Sequence, residues 1–134
     1  IGLAYYNYAD ENTVIIADPE QLRRVINNIV GNSVKYMNRQ NGFINIRIKD
    51  VGDFIQIEIE DNGKGIAQKD IPYIFDRFFR ADASRNSANG GSGIGLSIVK
   101  AIMDSIHMKC GVENLPGGVG QREQIAIHFF QFFI

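Results

Sequence analysis

A chain of 134 residues with 45% hydrophobic and 22% charged residues is long enough to bury one real core, and its length predicts a single domain. Its formal net charge of −1 supplies no electrostatic basis for a nucleic acid or an anionic membrane as the main partner. The single cysteine, Cys110, excludes an internal disulfide and reads as a small packed residue in a reducing compartment. No signal peptide or membrane span is visible, the aromatic run His128 to Ile134 being far too short. The chain opens on Ile1 rather than Met, so a fragment of a longer protein is expected.

Thr13-Val14-Ile15-Ile16-Ala17 is the first strand candidate. Asp18-Pro19 follows as an N-cap with proline in the first turn. Leu22, Val25, Ile26, Ile29, Val30, Ser33, Val34 and Met37 then recur at helical spacing, predicting one amphipathic helix over 19–38. Asn28, Asn32, Lys35 and Tyr36 form a second stripe beside the apolar one. Asparagine is a mediocre helix former, but its amide oxygen suits Mg²⁺, a cation that takes few protein ligands when it also holds phosphates. A solvated polar face is the competing reading of that stripe.

Asn41-Gly42 ends the helix. Phe43 to Lys49 and Phe54 to Glu60 alternate apolar and polar residues around a short turn at Val51-Gly52-Asp53, the pattern of an antiparallel hairpin. Strand parity carries Asp61 onto the inward face of Ile55, Ile57 and Ile59. A carboxylate there is costly unless donors meet it. The glycines of Asp61-Asn62-Gly63-Lys64-Gly65-Ile66 would let the backbone turn sharply and approach a ligand. A turn in which Asp61 bonds only its own loop amides would use the same residues.

Ile71 to Phe75, with Phe78 and Phe79, suggest a short aromatic-faced helix. Residues 81–93 hold almost no large apolar group and are expected to be mobile. Gly90-Gly91-Ser92-Gly93-Ile94-Gly95-Leu96 opens a helix running to about Ile106, so its free amides and the helix dipole could cradle phosphate. A flexible hinge would be built the same way. No strand precedes it, which disfavours the dinucleotide fingerprint, and it lacks the Lys-Ser/Thr of a Walker loop. Met108 to Glu113 and Gln124 to Phe130 are the last strand candidates. Mixed helices and antiparallel strands predict an α+β, two-layer α/β sandwich.

Taken in order, these segments closely resemble the catalytic ATP-binding domain of bacterial sensor histidine kinases, in the ATPase superfamily that includes gyrase and the heat-shock chaperone. Asn28 to Tyr36 resembles its N box, Asp61 to Ile66 its first glycine box, Ile74 to Arg80 its F box, and Gly91 to Leu96 its second glycine box. The resemblance spans roughly residues 14–107. It implies a Bergerat ATP-binding fold with a mixed, mostly antiparallel sheet, and ATP and Mg²⁺ as cofactors.

By that similarity Asp61 would accept a hydrogen bond from the adenine amino group, as a carboxylate can. Asn32 would hold Mg²⁺, with Asn28 beside it as a second candidate ligand. Lys35 would reach the phosphates and Tyr36 pack on the nucleotide. Gly63 and Gly65 would let the loop close under it and Gly93 and Gly95 would present amides to the phosphates, with Ile66, Ser92, Ile94 and Leu96 as further nucleotide-binding positions. Arg80 and Lys35 would stabilise charge in transfer. Phe75, Phe78 and Phe79 would anchor the segment over the site to the core rather than touch substrate.

Gyrase-like and chaperone relatives are expected to carry Glu where Asn28 stands, and an amide cannot act as a general base. The resemblance therefore implies γ-phosphate donation to an external histidine, on a separate dimerisation domain of the same protein, with a response regulator downstream. A serine kinase or ATPase of the same fold, or a nucleotide-binding regulatory module without transfer activity, is the alternative. The whole would be a cytoplasmic domain of a membrane-anchored bacterial sensor, reaching the membrane only through upstream segments. His107 and His128 lack an acidic His-Glu helical context and read as ordinary loop or strand residues. His107-Met108-Lys109 departs from the family's usual His-Gly-Gly, and Gly118-Val119-Gly120-Gln121 from its Gly-x-Gly-Thr turn.

Overall fold

The computed structural model describes residues 2–35, 37, 40–63, 65–76, 95–116 and 124–133. Strand β1 is Gly2–Asn7, helix α1 Pro19–Lys35, β2 Phe43–Asp50, β3 Phe54–Asp61, α2 Gly95–Ser105, β4 Cys110–Pro116 and β5 Gln124–Phe133. A six-residue 3₁₀ helix, Gln68–Tyr73, stands where the aromatic helix was expected and contains Pro72. Proline removes an amide donor and keeps the segment short. The strands form one sheet in the order β1-β2-β3-β5-β4, parallel between β1 and β2 and antiparallel elsewhere.

The first strand is not the one expected. Thr13 to Ala17 forms no regular structure, and the edge strand is instead the Tyr-rich Gly2–Asn7, paired Leu3 to Ile44 and Tyr5 to Ile46. Ile15 and Ala17 pack against the core while Val14 and Ile16 stay exposed. Their alternation therefore records one-sided packing of an extended segment, which period-two patterning cannot distinguish from a ladder. Helix α1 begins as predicted: Asp18 accepts the Glu20 amide through Oδ1 at 2.9 Å and the Leu22 amide through its carbonyl at 2.9 Å. It ends at Lys35, short of the expected residue 38, and Val34 faces solvent rather than the core.

The hairpin register places Ile44 opposite Asp61, Ile46 opposite Ile59 and Ile48 opposite Ile57. Ile55, Ile57, Ile59 and Asp61 are buried and alternate with half-buried residues along β3, confirming the parity of Asp61. Val25 and Ile29 of α1, Val99 and Met103 of α2, and Met108 complete the core with Ile44 and the three β3 isoleucines. Both helices contribute to one core over one face of the sheet, so two layers suffice.

The opposite face is polar. Arg47 bridges Glu58 at 3.4 Å and Glu60 at 3.1 Å, and Lys49 lies 3.0 Å from Glu58. Burial pushes the Glu58 carboxyl up, but Lys49, Gln56 and Arg47 together hold it below its ordinary value. Among the described residues no helix is long and apolar enough to cross a membrane.

Candidate functional site

Asp61 is the end of β3 and only 6% exposed. Its Oδ2 accepts a 2.8 Å hydrogen bond from the Ser33 hydroxyl of α1, and its Oδ1 a 3.0 Å bond from the Gly63 amide two residues on. The turn reading of Asp61 is therefore half right: it does bond its own loop, yet it is buried and also held across 28 positions by a helix. Burial pushes its carboxyl above the ordinary value, the bonds from Ser33 and Gly63 act against that, and the neighbouring Glu60 charge adds to it. A carboxylate offers roughly four lone-pair sites, so these two donors leave it able to accept more.

Asn62, 7% exposed, locks the exit from the strand. Its Oδ1 accepts the Phe43 amide at 2.7 Å, and its Nδ2 donates to the Asn41 carbonyl at 3.1 Å. The start of β2 thereby clamps the residue that follows Asp61. Gly65 adopts φ +72°, a left-handed backbone that glycine enters without a steric penalty. Gly63 is buried, and Ile66 is half-buried.

On α1, Asn28 and Asn32 are half-buried and one turn apart, and Lys35 is exposed at the C-terminal end. Ser33 sits beside Asn32 in sequence, so the stripe that carries the asparagines borders the residue that meets Asp61. Gly95 opens α2 and Leu96 packs partly buried against the core. Helices α1 and α2 are in contact. Tyr36, Lys64, Arg80, Ser92, Gly93 and Ile94 lie outside the described residues, as do Phe78, Phe79 and the 81–93 segment. Phe75 is described and half-buried.

Among the described residues no group of three His, Cys, Asp or Glu could hold a metal. A cation here would depend on amide oxygens such as those of Asn28 and Asn32 together with ligand oxygens, a donor set that suits Mg²⁺ and a polyphosphate. Two residues of the constellation were not singled out from the sequence. Ser33 was counted in the apolar stripe, although a hydroxyl at a fully inward position was its available signal. Asn62 left none, because strand parity turns it away from the core and its partners are backbone atoms 19 and 21 positions away.

Among the described residues a five-stranded sheet carries two helices on one face, a mixed α/β architecture that matches histidine kinase catalytic domains. That of ThkA matches 98% of this chain with a TM-score of 0.78 at 21% identity, the chain covering 78% of it. Full-length ShkA, solved in complex with AMPPNP, matches 98% of this chain at 25% identity and a TM-score of 0.78, over 26% of its own length. In sequence, the chain belongs to the family of histidine kinase-, DNA gyrase B- and HSP90-like ATPases, which it matches over residues 17–131. The probable sensor kinase SilS of Salmonella typhimurium is 38% identical over 101 residues, 75% of this chain and 20% of SilS. The chain thus spans about a fifth of the length of this curated relative.

Proposed function

We propose that residues 1–134 are the ATP-binding catalytic domain of a sensor protein-histidine kinase, binding Mg-ATP and donating its γ-phosphate to a histidine on a separate dimerisation domain. The observation that carries this is Asp61: a buried carboxylate aimed inward from a strand end, met by a helix hydroxyl and a loop amide, with acceptor capacity remaining. An exocyclic amine fits that capacity, and adenine carries one at the position that guanine fills with a carbonyl. The family of ATPases to which the chain belongs and the AMPPNP complex of ShkA support an adenine nucleotide.

Asn32, with Asn28 beside it, would hold Mg²⁺ through amide oxygens, and Lys35 would approach the phosphates. The magnesium ion would neutralise phosphate charge. Gly95 opens α2, so amides of the second glycine box, Ser92 to Leu96, would meet the phosphates at the positive end of that helix. Tyr36 would pack on the nucleotide and Arg80 stabilise charge in transfer. Asn28 supplies an amide where a water-using ATPase needs a base, so an external imidazole nitrogen would attack the γ-phosphorus. The new N–P bond would form as the bond to the bridging oxygen breaks, with the electron pair leaving on ADP. The phosphoacceptor domain, a downstream response regulator and anchorage of the parent protein in a membrane, with this domain on the cytoplasmic side, follow from the same reading. Relatives named as sensor kinases support it.

The test is to mix the chain with the histidine-bearing helical domain of its parent protein, γ-labelled ATP and Mg²⁺. Acid-labile, base-stable label should appear on the partner. Tight Mg-ATP binding without any transferred label would refute the kinase reading and leave a nucleotide-binding module.

A further inference from the structure

Ser33 occupies a position where an apolar side chain would be expected. It continues the inward line of Val25 and Ile29 along α1 and is 5% exposed, in a row of residues that otherwise bury only hydrocarbon. A buried hydroxyl costs free energy unless it is bonded, and a helical serine ordinarily satisfies itself on the carbonyl one turn back. This one donates instead to Oδ2 of Asp61 at 2.8 Å.

That bond has a chemical consequence. Gly63 can only donate to Oδ1, and Ser33 donates to Oδ2, so both carboxylate oxygens face hydrogens. The arrangement favours an ionised Asp61, which accepts and cannot donate, and it fixes the rotation of the carboxylate plane. Burial works in the other direction and favours the protonated form. Glu60 is the neighbouring charge that adds to that tendency, while across the sheet Asp61 is paired with Ile44 of β2 and Ala126 of β5, neither of which is ionisable. Among the described residues Ser33 is therefore the side chain that opposes burial. A protonated Asp61 could donate to a 6-oxo purine as well as accept from a 6-amino one, and selectivity would fall.

We propose that Ser33 is a positioning residue for nucleotide selectivity, keeping Asp61 an oriented, acceptor-only group that favours 6-aminopurine over 6-oxopurine nucleotides. The proposal rests on Asp61 being the base-reading residue and adds the side chain that makes it selective.

The experiment compares Mg-ATP with Mg-ITP, whose base carries a 6-oxo group, by calorimetric titration of the wild-type chain, Ser33→Ala and Asp61→Asn. Ser33→Ala should lower ATP affinity about tenfold, the scale of one hydrogen bond to a charged group, while ITP affinity holds or rises. The ATP/ITP ratio should therefore fall at least about tenfold. A merely structural role would weaken both nucleotides alike and leave the ratio alone. A ratio within about twofold of wild type in Ser33→Ala, with Asp61→Asn still shifting it, overturns the role of Ser33 and keeps the reading of Asp61. A ratio unmoved by either substitution overturns both.

Discussion

Replacing Asp61 with asparagine separates what this residue does for the fold from what it does for a ligand. Its two described bonds impose different demands: the Gly63 amide can only donate, whereas the Ser33 hydroxyl can rotate to accept. In Asp61→Asn the amide oxygen should therefore face Gly63 and the NH₂ group face Ser33, so that both partners remain satisfied. The variant also removes a carboxylate whose burial raises its folded value above the ordinary 3.8. A raised value means stability that is complete below the unfolded value and lost as pH rises through the folded one. At neutral pH the ionised group is thus a cost, and Asp61→Asn should melt no more than about 3 °C below wild type, or above it.

The ligand sees the opposite. A second NH₂ hydrogen replaces the acceptor that would meet adenine, so a charge-assisted bond of about 1.5–3 kcal/mol is lost. Mg-ATP affinity should drop about 10- to 150-fold by calorimetry. An ATP affinity within about threefold of wild type, in a variant with unchanged melting, would refute the assignment of Asp61 to the base.

Titration of the same carboxyl links two measurements with opposite signs. As pH falls through the raised folded value of Asp61, ATP affinity should decline while the Asp61 contribution to stability recovers, which parallel binding and melting series would resolve. Glu58 runs the other way: its folded value lies below the ordinary 4.5, so its contribution is present above the unfolded value and is lost as pH falls through the folded one. Glu58→Gln should accordingly flatten the acid limb of the melting curve. Asn62→Ala removes a buried side chain's bonds to Phe43 and Asn41; a loss of about 2–3 kcal/mol in urea unfolding is expected, and none would show the clamp to be dispensable. His107 holds φ +58° as α2 ends, where Met108 donates to Met103 at 2.9 Å and His107 to Asp104 at 3.1 Å. That bonding pattern favours glycine, so His107→Gly should stabilise by about 0.5–1 kcal/mol, read as a higher melting temperature.

Much of this protein is determined by short-range pattern. The cap at Asp18, the helical spacing of Val25 and Ile29, and the alternation through Phe54–Asp61 specify elements whose energetics are local or one-sided. The order of Asn28, Asn32, Asp61 and the two glycine boxes is equally legible, because residue type and spacing along the chain carry it. The edge strand was not legible: Thr13 to Ala17 and Gly2–Asn7 both suit an extended chain, and only the availability of β2 as a pairing partner decided between them. Nor were the Asn62 clamp and the Ser33 bond, whose partners lie 19 or more positions away in sequence. Sequence periodicity establishes that a carboxylate turns inward. Tertiary packing alone decides which hydroxyl awaits it, because donor and acceptor meet only after helix and sheet have closed over one core.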